Sequence, residues 1–289
     1  GDGCVASAAW SVALGAGSEA SANWAFAVGA GSAATGTASV AMGAGSHANG
    51  AGSFAVGGGS VAYGNNAFAG VSGTANASGS VAIGAGVIAN SANAVALGTS
   101  TLASGPSSFA VGASTTASGL QDFAAGASSE SLGDQTVAMG LDCTAHAPQS
   151  VAIGNGNDAV GDQSVALGAN SEAIGDQSFV AGSNTSASGQ ASVALGDYSE
   201  ASGDQSFAVG SYAVASGQGS VSMGLNNQAT QTGSFAVGSQ TLATSEGSVA
   251  MGLSTHSTGI GSFATGTQAV ASGEYAVAMG GQSCLSTGT

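Results

Sequence analysis

Glycine recurs along this chain at intervals of fourteen residues, and that spacing limits the fold more than any other feature. Counting from Gly15, the register passes through Gly29, Gly43 and Gly57, slips by one residue to Gly70, and then returns every fourteen residues from Gly84 to Gly280. That makes twenty copies of one short motif, with Gly1 also in phase. A fixed short period marks a repeat protein, in which each unit buries its apolar side chains only against its neighbours. The sequence therefore predicts a single continuous repeat domain over residues 1–289, without a linker.

Within the motif, the residue three before the register glycine is Val or Phe in nineteen copies, and the residue one before it is usually aliphatic. A spacing of two places both on one face of a strand. Their sizes compensate. Val precedes a large partner in eleven copies, as Val165 precedes Leu167, and Phe precedes a smaller one in eight, as Phe179 precedes Ala181. The nearly constant summed volume predicts that the pair points inward and fills one compartment of a close-packed core. On this reading Val165→Asp unfolds or aggregates the protein.

The residue two before the glycine points the other way and is Ala in seventeen copies. A position that faces water has no reason to stay so small. Ala152, Ala166, Ala194 and Ala208 are therefore expected at a contact with other copies of the chain.

After the register glycine comes a short turn of small residues, such as Ala16-Gly17-Ser18, then a second segment with Ala five after the glycine in seventeen copies. A glycine seven after the register closes that segment in thirteen copies, as at Gly133 and Gly203. Two short strands and two tight turns in fourteen residues describe one coil of a parallel β-solenoid. At the usual strand spacing of ~4.8 Å, the stacked coils would form a rod of roughly 95 Å. A core only one or two side chains wide is marginal alone, so association is expected.

The motif Ser-Val-Ala-(Ile/Leu/Met)-Gly followed by Ser-x-Ala-x-Gly, written out at Ser150-Val151-Ala152-Ile153-Gly154 and Ser80-Val81-Ala82-Ile83-Gly84, resembles the head repeats of YadA-like trimeric autotransporter adhesins. The resemblance covers essentially the whole chain. It implies a left-handed parallel β-roll, a homotrimer about the rod axis, an extracellular or cell-surface location, and attachment of a cell or particle to a surface or host. Coiled-coil stalk, neck and membrane-barrel patterns do not occur in this sequence, so the resemblance does not carry surface anchoring over to it. Similar repeats occur in bacteriophage fibres, and a self-assembling extracellular filament is the alternative from a different class.

Composition narrows the partners. There is no Lys or Arg, and fifteen carboxylates give a formal charge of −15. Phosphate recognition relies on the missing cations, so nucleic acid and anionic membrane surfaces are not expected partners. No apolar run approaches the ~20 residues of a membrane helix, and no membrane insertion by this chain is expected. Cys4, Cys143 and Cys284 are too few and too scattered for a disulfide framework. The three histidines, His47, His146 and His256, fall on variable positions of the second segment and are expected to face solvent, with His146 opposite in facing to Cys143. No nucleophile, base and orienting group come together in any motif, so the chain is not expected to be an enzyme, and no cofactor is implied.

Eleven of the fifteen acids lie between Asp122 and Asp204. Gly-Asp-Gln occurs at Gly133, Gly161, Gly175 and Gly203, which sets Asp162 and Asp176 at equivalent positions of adjacent coils. Like charges one strand spacing apart repel, so a solvated acidic band or a bridging calcium ion is expected there. Trp10 and Trp24 share one position in the first two complete coils, where they would cap the core or offer an aromatic platform. With Gly1 in phase and Thr289 partway through a coil, head-to-tail stacking of trimers would bring Cys4 near Cys284, although their offsets from the register place them on opposite faces.

Overall fold

The computed structural model describes residues 2–281 and 284–287. Gly1 and Thr289, on which the expectation of head-to-tail stacking rests, lie outside the described residues. Among the described residues all regular structure is β, and the chain forms two compact units, Gly1–Thr144 and Ala145–Thr289.

In the first unit each coil contributes one strand that ends near the register glycine and one short return strand. Val12–Leu14, Phe26–Val28, Val40–Met42 and Phe54–Val56 stack in parallel, and Glu19–Ala20, Ala33–Ala34 and His47–Ala48 stack beside them as a second parallel ladder. Pairing runs from residue to equivalent residue, with Val12 beside Phe26 and Phe26 beside Val40. From Val95–Thr99 onward in the first unit the motif strands lengthen to five residues, and the second unit repeats the same arrangement. Val165–Ala169 pairs with Phe179–Ser183, and Glu172–Ala173 with Ser186–Ala187. The fold is a parallel β-solenoid with coils of fourteen residues, as the period predicts.

The interior is the reverse of the sequence expectation. Ala152, Ala166, Ala194 and Ala208 are all 0% exposed within a single chain, so they have no surface to offer a partner. The Ala of the return strand is equally enclosed, as at Ala173 and Ala201. Ser or Thr fills the other two inward positions, as at Ser192 and Thr185. The Val, Phe, Leu and Met residues point outward instead, with Leu14 at 56% and Met42 at 42% exposure. Val165 and Leu167 are half-buried on that outer face. Strand alternation fixes that the two sets face opposite ways. The width of the coil decides which set is inside, and two short strands joined by two tight turns enclose little more than methyl and hydroxyl groups.

Backbone proximity between coils explains the glycines. A Cβ on Gly196 would lie 1.9 Å from the carbonyl oxygen of Gly210, and one on Gly203 would lie 2.2 Å from that of Gly217. Any side chain there would push the coils apart. Some buried hydroxyls are satisfied within their own turns, whereas others in the same columns, such as those of Ser164, Ser178, Ser206 and Ser220, have no hydrogen-bond partner among the described residues. Ser18 Oγ donates to the Gly15 carbonyl at 2.9 Å, and Ser192 Oγ to that of Gly189 at 2.6 Å. Where Asn replaces Ser, the amide spans two coils. Asn227 Nδ2 donates to the carbonyls of Met223 and Gly238 at 2.6 and 2.8 Å, while its Oδ1 accepts from the Thr241 N–H at 2.8 Å.

The slip at Gly70 also resolves differently. Gly70 pairs with Val56 and Ile83, so it occupies the position one before the register and Phe68 keeps its place in the Val/Phe column. The missing residue is taken from the turn, not from the strand. The tightened turn holds Val71 at φ 53° and Ser72 at φ 63°. Phe68 with Gly70 thereby extends the compensation of large with small to its extreme.

Candidate functional site

With the small residues inside, each coil presents four outer positions that stack into columns. Two lie on the strand that carries the motif, and they are the Val/Phe and Leu/Met/Val columns. Because neighbours repeat in register, Val193 beside Phe207 and Leu195 beside Val209, each column within a unit is a largely apolar stripe, interrupted in the Leu/Met/Val column at Gly70 and Thr265. Neither stripe contains a charged residue. Phe109 and Phe123 stack within it, with ring centroids 5.3 Å apart and planes 3° from parallel.

The two turns add further columns, because the third residue of each turn has positive φ and projects outward. Trp10 and Trp24 take that conformation at φ 61° and 62°, and their rings stack at 5.4 Å. They are 74% and 60% exposed. Tyr198 and Tyr212 do the same on the other turn, at φ 52° and 56°, with centroids 5.0 Å apart. The tyrosine pair escaped the sequence reading. Its signal is the equal offset of both residues from their register glycines. Cys4 is exposed and Cys284 partly so, each in its own unit.

Asp162 and Asp176 belong to a backbone device. The N–H of the residue following the second glycine has no partner in the coil ladder, and the equivalent Asp of the next coil turns back to accept it. Asp176 Oδ1 accepts from the Asp162 N–H at 3.0 Å, Asp134 from Leu120 at 2.9 Å, and Asp204 from Gln190 at 3.0 Å. The unused N–H also explains why proline is tolerated here, at Pro106 and Pro148. A calcium ion takes roughly six to eight oxygen ligands. Two exposed carboxylates, one already bonded to a backbone N–H, do not fit that requirement, and no group of three metal-ligating side chains occurs among the described residues.

Two acids behave differently. Asp122 replaces the inward Ser and is 1% exposed. Its oxygens accept from the Gly119 N–H at 2.5 Å, the Thr136 N–H at 3.0 Å and the Thr136 hydroxyl at 2.9 Å. Asp158 lies on the outer face of its return strand, where partial burial raises its carboxyl above the ordinary 3.8 and the imidazole of His146 opposes that rise. His146 Nε2 is 3.1 Å from Asp158 Oδ1, a contact close enough for attraction but not aligned as a hydrogen bond. His47 is exposed, and its Nδ1 lies 2.9 Å from the Gly45 carbonyl oxygen. His256 is half-buried on the return face, and Cys143 is fully enclosed at 0%. These side chains form no catalytic constellation among the described residues.

Comparison with known families adds one finding. The family model described as YadA head domain repeat (2 copies) matches residues 34–60, 89–115, 117–142, 145–171, 159–185, 187–213, 215–241, 232–255, 243–269 and 257–283. These segments cover most of the chain. No curated protein matches it.

Proposed function

This chain belongs to the YadA head domain repeat family, and from that membership we propose that three copies associate into an adhesin-like fibre, displayed outside the cell, that attaches a cell or particle to a surface or host. One observation carries the reading. The two apolar stripes of the motif strand are exposed in the single chain, free of charge, and matched in volume coil by coil. Contiguous apolar surface of this extent is a mark of an interaction face. A family of trimeric fibres supplies the partner, which is another copy of the same chain. The volume matching has its reason there, since a gap of constant width between copies is filled equally by Val with Leu or by Phe with Ala. Attachment is then left to the return strands and turns, which carry the variable polar residues.

Neighbouring residues on opposite faces give the test. Leu195→Glu on the stripe should leave the β-sheet circular dichroism unchanged and reduce the mass in ultracentrifugation from three chains to one. Ala194→Glu, which forces a carboxylate into the coil interior, should abolish the fold itself. A Leu195→Glu protein that remains three chains in mass would remove the stripe as the contact.

A further inference from the structure

On the outer edge of the second unit, between the turn column and the return-strand column, runs a groove of about 410 Å³. Its lining is Asn226, Gln240 and Ser254 from the turn, and Gln228, Leu242 and His256 from the return strand. Tyr212 precedes Asn226 in the same turn column by one coil. Its ring, 51% exposed, stacks on Tyr198 with planes 1° from parallel, so its second face is turned along the column towards Asn226, where the groove begins.

The chemistry of that lining is selective. None of the six residues bears a fixed charge, and between Asp204 and Glu246 the sequence has no acid. The chain has no Lys or Arg to hold an anion, and the groove has no carboxylate to hold a cation. Leu242 alone is apolar, which is too little for a lipid or an amphipathic helix. An extended peptide binds by adding its backbone to an open strand edge. Here the backbone is spent, since the N–H groups of Gln228, Gln240 and Leu242 donate to Thr241, Leu225 and Thr255 of adjacent coils.

The side chains, by contrast, are largely unspent. Ser254 Oγ donates to Gln240 Oε1 at 3.1 Å, while the amides of Asn226 and Gln228 make no hydrogen bond to any described residue. Elsewhere such columns satisfy themselves, as where Gln135 Nε2 donates to Gln121 Oε1 at 3.3 Å. A neutral row of amides, hydroxyl and imidazole, with an aromatic face at one end, suits a ligand that is itself uncharged and covered in hydroxyls.

We propose that this groove binds a neutral linear oligosaccharide lying along the stack of coils, with Asn226, Gln228 and Gln240 bonding its hydroxyls, Leu242 beneath an apolar ring face and Tyr212 stacking against the end residue. The inference rests on the adhesin reading in the sense that it names what the fibre attaches to. The groove faces away from the apolar stripes, so association of copies through those stripes leaves it open.

The test uses the full chain with cellohexaose, maltohexaose and chitohexaose, read by isothermal titration calorimetry and by saturation-transfer nuclear magnetic resonance. At least one should bind. Gln228→Ala with Gln240→Ala should weaken that binding by about tenfold or more, the equivalent of one or two lost hydrogen bonds. Tyr212→Ala should weaken it independently, and Gln121→Ala, in the first unit, should leave it unchanged. These exposed substitutions are checked by circular dichroism. If none of the three sugars binds, or if binding survives the double substitution, the proposal is overturned. Mass is measured on the same samples: three chains without sugar binding would sink the groove alone, and one chain with sugar binding would sink the trimer alone.

Discussion

Asp158 shows how a single outward residue can make the solenoid sensitive to pH. Glu172 sits directly opposite it on the next coil, and His146 lies 3.1 Å away. Burial raises the carboxyl above 3.8, so folding favours its neutral form. The stabilisation from that form is complete below pH 3.8 and is lost as the pH rises through the higher folded value. Above that value, the charged carboxylate pays for its burial and for the like charge across the ladder, with only the imidazole to offset them. Asp158→Asn should therefore melt at a higher temperature than wild type at about pH 8, and the two curves should converge near pH 3. A gain that stays constant with pH would show that the carboxyl is not its source. Little of this was legible in the sequence. The Gly-Asp-Gln motif singles out Asp162 and Asp176 but not Asp158, and only the fold reveals that Asp176 accepts an N–H from the coil before while Asp158 is partly enclosed.

Considered as an element, the coil was legible in its period, its strands and its turns, because glycine spacing and alternation are local properties. Its inside and outside were not. The pair Val165 and Leu167 looks like a core when the motif strand is taken alone. The return strand holds the missing information, since Ser192, Ala194, Ser199 and Ala201 are all small, and a closed coil must fill its centre from both strands. Reading the two strands together would have placed the small residues inside. The irregular coil at Gly70 carries its own prediction. A β-branched residue at positive φ is strained, and Val71 at φ 53° is also 63% exposed, so nothing in its packing requires it. Val71→Gly removes a left-handed penalty of about 1–2 kcal/mol while adding unfolded-state entropy worth about 0.5–1 kcal/mol. A net gain of about 1 kcal/mol, read as a rise in Tm of about 1–2 °C for a chain of this size, is expected in thermal unfolding. A fall in Tm would mean that the Val71 side chain contributes packing that outweighs the strain.

At the level of the whole molecule, a charge of −15 with no cation gives association an unusual dependence on salt. Copies that meet through uncharged stripes repel one another through everything else, and dissolved ions screen that repulsion. Raising sodium chloride from about 20 mM to about 500 mM should tighten association of the chains, as the Debye length falls below the separation of the charged columns. Weaker association at high salt would point to an interface held by charges. The stacked ladder has a further consequence, which concerns force. Hydrogen bonds such as Phe207 N–H to the Ser220 carbonyl run from coil to coil, so a pull along the stack loads one coil at a time instead of shearing many bonds together. Each coil that peels away turns about 4.8 Å of stack into as much as about 48 Å of extended chain. A body built this way, if held at two points along the stack, would yield in small steps under shear flow and dissipate a sudden load before its attachment gave way.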